Sequence, residues 1–174
     1  VDKFVEQIKP KTVWDLGANN GVFSRIASDR GIKTVAFDID PVAVEKSYLF
    51  SVKNQEENIL PLVLDLTNPS PSIGWDNEER MSIKQRSLPD MVFALALIHH
   101  LAISNNVPLS KIAMYFSSIC SSLIIEFVPK SDSQVKKLLA SREDIFGNYN
   151  QEAFEDEFLK YFNMRSVERI NNSE

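Results

Sequence analysis

Asp15-Leu16-Gly17-Ala18-Asn19-Asn20-Gly21 closes a short apolar run, Thr12 to Leu16, and leads directly into a segment with helical spacing. A strand that turns on glycine and passes straight into a helix is a local arrangement with definite chemistry. Gly17 permits a tight bend. Gly21 permits close approach of the backbone and the next helix to a ligand. The start of that helix offers backbone N–H groups to a polar or anionic group. In an open parallel sheet, such a ligand lies at the carboxyl ends of the strands. Asp15, Gly17, Ala18, Asn19, Asn20 and Gly21 are therefore the first candidate binding residues.

Outward from this turn, strand and helix patterns alternate, which predicts an α/β fold with a mostly parallel sheet and helices on both faces. Upstream, Phe4, Val5 and Ile8 have helical spacing and Pro10 ends the segment. Downstream, Val22 to Arg30 reads as a helix with Phe23, Ile26 and Ala27 on one face. Lys33 to Phe37 is a second strand, and Pro41 opens a helix carrying Val42, Val44, Tyr48 and Leu49. Ile59 to Leu64 is a third strand. Asp90 to Leu97 is an almost purely apolar run, as expected of a strand buried on both faces. Pro108 to Ser118 reads as a helix and Ser122 to Val128 as a fifth strand. Two amphipathic helices, Ser133 to Arg142 and Glu152 to Phe162, precede an expected sixth strand from Met164 to Ile170. The connection from 67 to 88 is long for a compact domain, which marks it as functional or disordered; a short helix is expected within Asn77 to Arg86.

The bulk composition bounds the class. A chain of 174 residues, 44% hydrophobic and 25% charged, forms one globular domain. A net charge of -5 argues against nonspecific nucleic-acid binding, which needs a basic footprint. No apolar run is long enough to span a bilayer. The single cysteine, Cys120, forms no internal disulfide, which fits a reducing, cytoplasmic setting. Oligomeric state is not legible in these features.

Two further acids fall at expected strand tips. Asp38, about 20 residues after the glycine turn, ends the second strand, where a carboxylate accepts from ribose hydroxyls. Ile39 is its neighbour, and Asp40 is placed to cap the helix opened by Pro41. Asp65 and Leu66 end the third strand. A structural protein gains nothing by gathering carboxylates on one sheet edge. A dinucleotide fingerprint needs Gly-x-Gly-x-x-Gly, and Asn19 stands where its middle glycine belongs, so an NAD-type oxidoreductase is the weaker alternative.

The turn with its leading acid resembles motif I of class I S-adenosylmethionine (SAM)-dependent methyltransferases. The resemblance implies a Rossmann-like fold, SAM as cofactor and methyl transfer to a small-molecule or otherwise unidentified acceptor. It implies that Asp15 lies near the SAM amino group, that the loop backbone contacts the methionine part, and that Asp65 and Leu66 face the adenine. The run from Asp90 to Leu101 is similar to the corresponding segment of quinone-biosynthesis methyltransferases. That likeness makes Ala94, Leu95 and Ala96 neighbours of the cofactor and puts His99-His100-Leu101 near the reaction centre. His99 and His100 are the only histidines, and either could serve as general base; adjacent residues rarely share a metal ion and no third ligand is evident, so no metal site is expected. A non-catalytic SAM-binding module is the other alternative.

Three segments, Leu64 to Trp75, Leu95 to Leu101 and Ile125 to Lys130, resemble methyltransferases related to a nodulation host-specificity protein. Trp75, Arg80, Arg86, His99, Asn105, Asn106, Glu126 and Lys130 are expected to rim the acceptor side. Trp75 has a second reading as a plug for the long loop, and Glu126 as a partner for Lys130. Class I methyltransferases usually finish with a seventh, antiparallel strand. Its absence here implies a single SAM-binding domain, residues 1–174, drawn from a longer chain, with an open sheet edge.

Overall fold

The computed structural model describes residues 1–140 and 142–170. Five parallel strands form one sheet: β1 (Thr12–Leu16), β2 (Lys33–Asp38), β3 (Ile59–Val63), β4 (Met91–Ala94) and β5 (Ser122–Ile125). Their spatial order is β3-β2-β1-β4-β5. Helix α1 (Asp2–Ile8) precedes β1; α2 (Val22–Ser28) and α3 (Pro41–Asn54) form the β1–β2 and β2–β3 crossovers, α4 (Leu109–Ser117) lies in the β4–β5 crossover, and α5 (Ser133–Ala140) and α6 (Gln151–Leu159) follow β5. Helices lie on both faces, so the expected Rossmann-like α/β architecture is present.

Every residue of β4 is buried, and alternation divides them between the two cores. Met91 and Phe93 meet Val5 of α1, Val13 and Ala27 of α2. Val92 and Ala94 join Trp14, Leu16 and Phe37 beneath Ile112 and Phe116 of α4, Val135 of α5, and Phe154 and Phe158 of α6. Asp90 fastens β4 to β1: its Oδ2 accepts from the N–H groups of Lys11 (2.7 Å) and Thr12 (3.2 Å).

The helices over the first half bury different residues from those expected. On α2 the enclosed stripe is Ser24, Ala27 and Ser28, and Phe23 is exposed. On α3 it is Ala43, Val44, Ser47 and Ser51, leaving Val42, Tyr48 and Leu49 outside. Small side chains let both helices lie close to the sheet and to each other, and large apolar residues do not fit between them. Asp40 caps α3 as expected, accepting from Val42 N–H at 2.9 Å, with Pro41 in the first turn.

Three other expectations are corrected. Residues 164–170 form no strand; Met164, Val167 and Ile170 are exposed, and their spacing of three cannot line one face of a strand. This segment reaches α1 instead, through Lys3–Glu168 at 2.9 Å. The fifth strand also stops at Ile125, because the Glu126 side chain turns to the adjacent β4 loop. The helix expected over 133–142 ends at Ala140, and residue 141 lies outside the described residues.

The 67–88 connection holds two single 3₁₀ turns, Trp75–Asn77 and Ile83–Gln85. No helix covers the sheet there, so Leu60 and Leu62 of β3 remain exposed. Among the described residues, no helix is long and apolar enough to cross a membrane.

Candidate functional site

The chain runs from β1 outward to β2 and β3, then returns to place β4 on the other side of β1. The crevice where strand order reverses lies between β1 and β4, at their carboxyl ends. Gly17 sits there, at φ +79°; a Cβ added to it would stand 3.2 Å from Leu97 Cδ1 in the loop after β4. The glycine turn thus touches the segment that carries both histidines.

The turn is held from within. Gly17 and Ala18 N–H both donate to Phe37 O at 2.9 Å, and Gly21 N–H donates to Ala18 O at 2.8 Å. Asn19 N–H donates to Asp38 Oδ2 and Asn20 N–H to Asn19 Oδ1, each at 2.7 Å. All five backbone donors from Gly17 to Gly21 are therefore engaged within the protein. What the turn has left to offer is carbonyl oxygen, which suits a cationic group better than an anion. Gly21, at φ +80°, has its missing Cβ facing Arg25 Nη1 and Ser47 Oγ, each 2.8 Å away. The space beside it is filled by protein, which corrects its reading as the point of closest ligand approach.

Asp38 holds both the turn and the start of α3. Its Oδ2 accepts from Asn19 and its Oδ1 from Asp40 N–H at 2.8 Å. A carboxylate oxygen has about two acceptor sites, so each retains one for another donor. Asp65 Oδ1 accepts both the N–H (2.8 Å) and the hydroxyl (2.7 Å) of Thr67, which holds its carboxyl below the usual range. Leu66 packs against the main core, and Ile39 stands exposed beside Asp38.

Asp15 is different from the other two acids. It is 2% exposed and accepts a 2.6 Å hydrogen bond from Ser24 Oγ of α2. Burial pushes its carboxyl up to about 6, with the Ser24 bond opposing and Asp38 reinforcing the shift. It lies under the turn, so its influence on a bound ligand is through its charge.

Beyond β4 the expected cofactor neighbours divide. Ala94 is enclosed in the core, and its carbonyl accepts from Glu126 N–H at 3.1 Å. Leu95 packs toward the α1–α2 side. The exposed residue at the tip is Ala96, at φ +48°, whose N–H donates to Glu126 Oε2 at 2.9 Å. Glu126 therefore supports the β4 loop, and Lys130 pairs with Asp144 at 2.7 Å, not with Glu126.

The two histidines have unequal surroundings, although their ring centroids are 4.2 Å apart. His99 is 3% exposed and its Nδ1 has no hydrogen-bond partner. Burial first, then neighbouring His100, holds its imidazole down at about 4. His100 is exposed at the surface, and partial desolvation still lowers its imidazole below the usual value, with the Asp38 charge opposing that shift. A general base works best with a pKa near the working pH. The expectation that either histidine could serve thus narrows to His100. His100 also begins a π-helical turn to Ser104, closed where its carbonyl accepts Asn105 Nδ2 at 2.9 Å.

Trp75 is 86% exposed at the tip of a loop closed by an Ile73–Arg80 bridge, so it plugs nothing. Sequence reasoning missed Arg25, whose guanidinium donates to Asn20 O at 2.8 Å. Its position one helical turn after Gly21 was the available signal. Among the described residues no group of three His, Cys, Asp or Glu side chains is gathered as for a metal ion. A groove of about 330 Å³ lies between α3 and the start of β3, lined by Tyr48, Val52, Ile59 and Leu60; it is at the opposite end of β3 from Asp65.

No family model matches the chain. It is 48% identical over 155 residues to nodulation protein NoeA of Rhizobium meliloti (strain 1021), a match covering 88% of this chain. The chain spans about a third of that relative's length (32%). Among solved structures, the PH0226 protein of Pyrococcus horikoshii OT3 is similar over 98% of this chain and 82% of its own, with a TM-score of 0.63 and 17% identity. The bifunctional kinase-methyltransferase WbdD is similar over 87% of this chain and 31% of its own, with a TM-score of 0.56 and 16% identity. At these identities the likeness shows the fold. Sequence and fold together make this chain a relative of nodulation protein NoeA with the Rossmann-like α/β fold that those solved structures share.

Proposed function

We propose that this chain binds SAM across the tips of β3, β2, β1 and β4 and positions an acceptor for methyl transfer. The observation that carries this reading is the row of acids with the glycine turn: Asp65, Asp38 and Asp15 on three adjacent strands, the turn abutting Leu97 at the reversal of strand order. The donor set suits the cofactor. Asp38 keeps acceptor capacity for the ribose hydroxyls, and the turn offers carbonyls to the ammonium of the methionine part. Asp65 would accept from the adenine amino group, with Leu66 against the ring. Buried Asp15 and nearby Asp38 add a negative field that favours a cation.

SAM supplies a methyl group already activated by its sulfonium, so the protein's task is chiefly alignment. His100 is the candidate base to take a proton from an acceptor O–H or N–H. Glu126 fixes Ala96 through its N–H, and Ala96 with His100 forms the acceptor side of the crevice. His99, neutral at physiological pH, supports His100 from the interior. We place this domain within a longer protein, because the NoeA relative is about three times as long.

Titration calorimetry with S-adenosylhomocysteine (SAH), SAM and NAD tests the reading. One SAH or SAM per chain is expected, with no heat from NAD. NAD binding without a response to either sulfur ligand would overturn it.

A further inference from the structure

Arg25 occupies an unusual position for a charged residue. Its side chain is 14% exposed and its partner Glu56 is 15% exposed. The guanidinium directs its donors to fixed acceptors on three segments. Nε lies 2.9 Å from Glu56 Oε1 and Nη2 2.9 Å from Oε2, a two-pronged contact. Nη2 also reaches Ser47 O and Ser51 Oγ of α3, each at 3.3 Å. Nη1 donates to Asn20 O, in the glycine turn, at 2.8 Å. The Phe50 ring lies 4.4 Å from the guanidinium carbon and covers one of its faces. Lysine cannot reproduce this: it has one nitrogen and no planar fork.

Two features noted above have their explanation here. The buried faces of α2 and α3 carry Ser24, Ser28, Ser47 and Ser51 in place of large side chains, and Arg25 Nη2 reaches Ser47 O and Ser51 Oγ. Gly21 has no side chain where a Cβ would meet Nη1 at 2.8 Å. The rest of the turn is held from the opposite side, by Phe37 O and Asp38 of β2. Asn20 O is the point at which α3 and Glu56 act on it.

We propose that Arg25, held by Glu56, is a positioning residue for the cofactor turn: it sets the orientation of the Asn20–Gly21 peptide and so the affinity for the methionine part of the cofactor. The consequence for affinity rests on the SAM reading above; the hold on the turn does not. A charged hydrogen bond contributes about 1.5 kcal/mol at the low end, or roughly tenfold in binding.

The test uses Arg25→Lys and Glu56→Gln in the whole chain, with three measurements. Thermal melting reports the fold, hydrogen exchange of the Asn19, Asn20 and Gly21 amides in the ligand-free protein reports the turn, and SAH calorimetry reports affinity. Both variants are expected to melt cooperatively, to exchange those three amides at least about tenfold faster than the wild type, and to bind SAH about tenfold more weakly. Amides of the α3 interior should not change. A lower melting temperature with turn exchange and SAH affinity unchanged would overturn the proposal and leave Arg25 a purely structural bridge. Faster turn exchange in a protein whose wild type binds no SAH would uphold Arg25's hold on the turn and overturn the SAM reading.

Discussion

Replacing Asp38 by alanine is expected to weaken SAH binding by about 10- to 100-fold, the worth of one or two hydrogen bonds to a charged group. The effect is large because the carboxylate acts twice. It would accept directly from the ribose, and it holds the Asn19 N–H, at 2.7 Å, of a residue kept at φ +50°. A left-handed asparagine depends on such local bonds. Removing the acceptor therefore loosens the turn as it removes a ligand contact. Asp38→Asn retains one acceptor oxygen and should fall between the alanine variant and the wild type. Calorimetry on all three proteins checks the order; equal affinities would exclude Asp38 from the site.

Asp15→Asn is expected to stabilise the protein at pH 7 while weakening its binding of SAM. Burial raises the Asp15 carboxyl from 3.8 to about 6, so the folded state holds this proton more tightly than the unfolded chain. Ionising Asp15 thus costs stability as pH rises from about 4 to 6; a displacement of this size is worth about 3 kcal/mol. An asparagine has no charge to desolvate. The stability difference between variant and wild type should be small at pH 4 and grow toward about 3 kcal/mol at pH 7. His99 acts in the reverse sense: its imidazole is held at about 4, so its contribution to stability is lost as pH falls through the window from 6.5 to 4. The two opposing slopes partly cancel in the wild type, and Asp15→Asn exposes the histidine slope. Urea unfolding at several pH values measures the difference, and a variant less stable than the wild type at pH 7 would contradict it. The same charge favours the SAM sulfonium, so SAM affinity should fall more than that of SAH, which lacks it. Such an exchange of stability for function is common at binding sites.

The architecture was legible because its signals are local. Thr12–Leu16 is bounded by Gly17 as read, Pro41 begins α3, and the uninterrupted apolar run at Met91–Ala94 lies inside the sheet between β1 and β5. The acids at 38 and 65 could be placed because strand ends locate them without any knowledge of packing. What was not legible depends on packing. Periodicity favours the large residues of α2 and α3, but the inner faces are serine and alanine with Val44 alone among larger side chains. Two adjacent histidines look alike in sequence; only the course of the chain after β4 buries His99 and exposes His100. The apparent strand at 164–170 has apolar residues but no neighbour to pair with among the described residues. Sequence offers Glu126 two readings, acceptor rim or partner of Lys130; its hydrogen-bond partner is the Ala96 N–H, 30 residues away.

The central claim concerns a place, and a crystal structure of this chain with SAH tests it most directly. The account predicts the ribose hydroxyls on Asp38, the adenine against Leu66 beside Asp65, and the methionine part over the Gly17–Gly21 turn, its sulfur facing Ala96 and His100. SAH in the groove between α3 and β3, or a ribose with no contact to Asp38, would contradict it.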